Sequence, residues 1–171
     1  MNPFSAADRL HRLEKLLLEN GSARSREEAQ AILTSYSMQL VAGPEIVVSP
    51  ILQVALLTAV NVAARAVHGE VRVVGNLNYP LLVTVPGCAT IADAVTAFRG
   101  ICAPDTSQAP ALLFGSAEVP AVEVSLRAVI SGWRGGVLPP GDAVPAASVR
   151  DTTLAASVAA AVGISELFQA L

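Results

Sequence analysis

The spacing of apolar and polar positions divides the chain into two regimes. Leu10, Leu13, Leu16 and Leu17 recur at helical spacing between Ser5, a candidate N-cap, and the stop Asn20-Gly21, which predicts an amphipathic helix over 5–19. Ser25 and Glu28 spell an S-x-x-E capping box ahead of Ala29, Ile32, Leu33 and Tyr36, predicting a second helix and hence a helical hairpin over 1–36. From Met38 onward, short apolar runs alternate with longer helical patterns. "EIVVS" reads as a strand, "PILQVALLTAVNVAARAV" as a helix opened by Pro50, and "EVRVVGN" as a strand of β-branched residues. "PLLVTV" is a further strand candidate, Thr90 caps "IADAVTAFRG", "ALLFG" is a buried strand, and "AVEVSLRAVI" partly alternates as one. "GWRGGVLPPG", with its glycines and prolines, predicts no regular element. "TTLAASVAAAVGISELFQAL" predicts a last helix capped by Asp151 or Thr152, apolar nearly all round in the manner of a helix buried between other elements.

Strands alternating with helices predict an α/β fold: a Rossmann-like, mostly parallel sheet with helices on both faces, preceded by the helical hairpin. The Pro/Gly-rich stretch from Gly132 to Pro145 is too short to separate domains, so 37–171 reads as one unit.

Composition adds a surface argument. The 171 residues are 53% hydrophobic and 15% charged, well under the ~25% charge of an average globular chain, so a partner surface is expected. The 1–36 segment holds five of eleven basic and five of fourteen acidic residues, and Lys15 is the sole lysine. A net charge of -3 without a basic cluster argues against nucleic acid. Gln53, Thr58, Asn61 and Arg65 interrupt the longest apolar stretch, so no membrane span is expected. The first twenty residues do not read as a signal peptide, which makes the cytoplasm the expected location.

Candidate chemistry is sparse. Gly43 to Asn76 has the outline of a nucleotide-binding βαβ unit, yet Ser49-Pro50 stands where phosphate-binding glycines belong, and Gly75-Asn76 where an acid would meet the ribose. Ser49 reads as a helix cap, and Asn76 and Asn78 as turn residues. His11 and His68 have no nucleophile and acid arranged around them. Cys88 and Cys102 are too few for a disulfide framework or a zinc site and read as buried free thiols, though Cys88 precedes a helix, where a thiol pKa falls. Glu118 and Glu123 read as a solvated strand edge. Trp133 and Arg134 suit an interface anchor as well as Trp133 suits a plug for the core. No catalytic, cofactor-binding or metal-ligating residue is assigned; the interface candidates are Leu52, Leu56, Val60, Trp133 and Arg134.

The order of features over 38–171 resembles the adenylation domain of ThiF-type, E1-like ubiquitin-activating proteins. "SVAAAVGISELFQAL" looks like that family's late helix, and "GWRGGVLPP" with "LQVALLTAVNVAARAV" is closer to the inactive N-terminal halves found in bacterial ubiquitin-like conjugation operons. The resemblance implies a domain that binds no cofactor itself and pairs with an active E1-like adenylation domain or a second copy, with a ubiquitin-like protein and an E2-like protein as further candidate partners and antiviral defence as the setting. The active halves surround ATP with a glycine loop, an Asp, an Arg and a Lys; the first two positions are changed here and no suitable Lys exists. Two alternatives stay open: an atypical nucleotide-binding or adenylating enzyme using Arg65, Arg72 or Arg134, and a small-molecule binding module.

Overall fold

The computed structural model describes residues 6–142 and 150–171, with side chains from Arg12 onward. The Ser5 cap, the His11 side chain and Pro145 lie outside that range.

Helices α1 (Ala6–Glu19) and α2 (Arg26–Ser35) pack against each other as the expected hairpin. Ser25 Oγ accepts the Glu28 N–H at 3.1 Å, whereas the Glu28 carboxylate takes the Arg24 N–H at 2.7 Å, so only half of the predicted capping box forms. Glu14 is buried because Arg26 Nε and Gln30 Nε2 both donate to it across the hairpin.

The sheet contains β1 (Met38–Ala42), β2 (Val71–Val74), β3 (Ile101–Ala103), β4 (Ala111–Phe114), β5 (Ser125–Ser131) and β6 (Arg134–Leu138) in the order β3-β2-β1-β4-β5-β6. Every pair is parallel except β5 with β6. This is the doubly wound strand order, with its reversal between β1 and β4. Side chains alternate between the faces: Leu40, Leu112, Phe114 and Ile130 point into a core shared with α3 (Pro50–Ala66), α4 (Ile91–Ala97) and α5 (Thr153–Gln169). The opposite face carries a small cluster of Val41, Ala111, Leu113 and Ala117 with Val122, none of them helical. Helices α3, α4 and α5 share the first face of this mostly parallel, Rossmann-like sheet. The β3–β4 connection, residues 104–110, is too short for a crossover helix, and the buried Gln39 amide on β1 ties it down, donating to Ser107 O at 2.9 Å and Ala109 O at 2.6 Å.

Several local expectations change. "EIVVS" is not a strand: Pro44–Val47 form a 3₁₀ turn, Val48 is exposed, and the strand lies earlier at "MQLVA". "PLLVTV" finds no ladder beyond a single bridge between Pro80 and Thr90. "RGGVL" is a strand, joined to β5 by the two-residue turn Gly132-Trp133, where Gly132 takes φ 60° as a tight hairpin requires. Gly135 is indispensable there, since a Cβ would collide with the Ala155 carbonyl of α5. The thiols are not buried: Cys88 is half-buried and Cys102 is exposed. On α5, Ala156, Ala160, Gly163, Ile164 and Leu167 face the core, but Leu154, Val158, Val162 and Phe168 are exposed, so the described residues supply cover on one side only.

Candidate functional site: the switch-point crevice

In an open α/β sheet the ligand crevice lies beyond the carboxyl ends of the strands where the strand order reverses, here between the ends of β1 and β4. The residues there follow from the local sequence. Gly43 continues the ladder, its N–H donating to Phe114 O at 2.8 Å. Pro44 then starts the 3₁₀ turn, and Ser49 caps α3 by accepting the Leu52 N–H at 3.2 Å, with Pro50 in the first helical turn where its missing N–H costs nothing.

The 3₁₀ turn swings the Glu45 side chain back into the crevice. Its Oε2 accepts the Ser116 N–H at 3.0 Å, just past the end of β4. A Cβ on Gly43 would stand 2.8 Å from that oxygen, and one on Gly115 2.5 Å. Gly115 also has φ 64°, in the left-handed region that favours glycine. Gly115 therefore makes room for the chain's own carboxylate, and Gly43 makes room both for it and for the Ala117 backbone nitrogen, which a Cβ would meet at 2.6 Å. Arg127, buried on β5, secures the same segment by donating to Gly115 O and, at 2.9 Å, to Ala117 O. Burial pushes the Glu45 carboxyl up, but hydrogen bonds from Ser116 and the charge of Arg127 outweigh it and hold the group below its ordinary value.

The second nucleotide position, at the end of β2, carries Gly75 at φ 145°, and a Cβ there would stand 2.8 Å from Ala42 O. Beyond it Asn76 and Asn78 are exposed. The loop to α4 is anchored by buried Gln53 of α3, whose Nε2 donates to Ile46 O at 3.0 Å and whose Oε1 accepts the Leu82 N–H at 2.8 Å. Among the arginines weighed as lysine substitutes, Arg65 sits in the last turn of α3, donating to Asn61, and Arg72 near the start of β2, paired with Glu70. Both lie at the end of the sheet opposite the crevice, and Arg134 stands on the outermost strand.

The interface candidates separate. Trp133 is 77% exposed and so is no core plug, and Arg134 is also exposed. Leu52 is half-buried, while Leu56 and Val60 are fully buried in the chain's own core and present nothing to a partner. Glu45, Arg127, Gln39 and Gln53 escaped the sequence reading. Gln39 and Gln53 gave a faint signal as lone polar residues within apolar runs; Glu45 gave none, because its role depends on residues seventy positions later.

The sheet order, the single βα turn at its reversal and the antiparallel outer strand define a Rossmann-like α/β domain. Residues 37–171 match the family model for the BilD N-terminal domain, and the chain belongs to that E1-like family. It is 32% identical over 161 residues to the bacterial E1-like protein BilD of Collimonas sp. (strain OK412), covering 93% of this chain and 35% of that protein. The chain thus spans about a third of the length of that relative.

Proposed function

We propose that the chain is a catalytically inactive adenylation-like domain, a structural scaffold and dimerisation partner for an active E1-like adenylation domain in ubiquitin-like protein activation. The observation that carries this reading is Glu45. Its carboxylate occupies the crevice end where a nucleotide would place phosphates, and repels them. The residues around it do not fit a nucleoside triphosphate: Ser49-Pro50 replaces the glycine loop, Gly75-Asn76 the ribose acid, and the one lysine is Lys15 in α1. In this reading 1–36 is a helical appendage to the degenerate domain 37–171, the pair works in the bacterial cytoplasm, and antiviral defence is its setting. Light scattering on the purified chain, alone and mixed with an E1-like adenylation domain, tests it: a one-to-one complex is expected, and two non-interacting species would refute it.

A further inference from the structure

A helix apolar on every side needs cover on every side, and among the described residues α5 receives it on one. Its outer arc carries Leu154 (61% exposed), Val158 (41%), Val162 (37%) and Phe168 (45%), an apolar ridge spanning roughly 21 Å at 1.5 Å per residue. Glu166 is the helix's sole charged residue. The ridge is continuous with the β5–β6 turn: Thr152 N–H donates to Gly132 O at 3.0 Å, and Asp151 Oδ1 accepts the Gly132 N–H at 2.6 Å. These bonds fix exposed Trp133 beside the head of α5.

We propose that the outer face of α5, headed by Trp133, is the surface on which the E1-like adenylation domain docks. This rests on the function proposed above. A neutral ridge calls for a neutral apolar partner surface, which excludes nucleic acid and strongly charged peptides. In the Collimonas relative the matched segment is only 35% of the protein, so there a larger body of chain accompanies this module, and that body is the occupant. The ridge also replaces the buried Leu56 and Val60 with side chains that a partner can reach.

The test uses the portion of the Collimonas protein outside the matched segment as probe, titrated into the full chain while the fluorescence of its single tryptophan is followed. Wild type is expected to bind with a blue shift as Trp133 is desolvated. Leu154→Glu, Leu154→Lys and Val158→Glu should each weaken binding about tenfold or more, as charges placed in an apolar contact centre do, with thermal unfolding unchanged because these positions are exposed. Ile101→Glu, on the opposite edge of the sheet, should bind as wild type. Equal affinity of the α5 variants, or a binding loss confined to Ile101→Glu, would overturn the docking surface and leave the pairing itself standing. Failure of wild type to bind would overturn both.

Discussion

Replacing Glu45 by Ala removes the carboxylate that fills the crevice and leaves the Ser116 N–H without its acceptor. A hydrogen bond to a charged group contributes about 1.5–3 kcal/mol; because Glu45 is half-buried, solvent replaces part of that, and a loss of about 1–2 kcal/mol is expected. For a domain of this size it corresponds to a fall in Tm of roughly 3–6 °C. The pH dependence supplies a second check. The folded-state pKa of Glu45 lies below its ordinary value, so its stabilisation is complete above the unfolded value of about 4.3 and is lost as pH falls through the folded value. Thermal unfolding of wild type and Glu45→Ala should therefore differ at pH 7 and converge as the pH falls through the lowered folded-state value, while hydrogen exchange at Ser116 accelerates in the variant at neutral pH. An unchanged Tm at pH 7, or a gap that persists undiminished in acid, would refute the carboxylate's role in holding the crevice closed.

Gly135→Ala forces a Cβ into the Ala155 carbonyl, a backbone collision that should cost roughly 3 kcal/mol or more and shift the urea midpoint sharply. Gln53→Leu leaves the Ile46 carbonyl and the Leu82 N–H unpaired; a loss of about 2–4 kcal/mol is expected, with faster hydrogen exchange concentrated in residues 76–90. Partial desolvation of its sulfur raises the Cys102 thiol pKa, with Asp93 adding to the rise and a Thr96 hydrogen bond opposing it, so alkylation of Cys102 by iodoacetamide, followed by mass spectrometry, should be slower at pH 8 than that of an unstructured cysteine peptide.

The sequence pattern revealed the α/β class, the hairpin and the three later helices because each rests on local signals: Ser49, Thr90 and Thr152 all cap as their spacing implies. The errors have non-local causes. "EIVVS" and "MQLVA" are both short apolar runs, and only pairing with Val71–Val74 and Ala111–Phe114 makes the second a strand. The glycines of "RGGVL" argued for a loop, although Gly135 is what lets α5 lie against that strand. On α5 the apolar pattern called for burial on all sides, whereas the described residues cover one side. The candidate site was legible only by what it lacks, glycines at Ser49-Pro50 and an acid at Gly75-Asn76; what fills it, Glu45 held by Ser116, joins residues far apart in sequence.

The central claim is that this domain keeps the nucleotide-fold geometry without nucleotide chemistry. Isothermal titration of the purified chain with ATP and magnesium tests that most directly. No saturable heat is expected up to millimolar nucleotide, and a saturable isotherm with a micromolar Kd would contradict it.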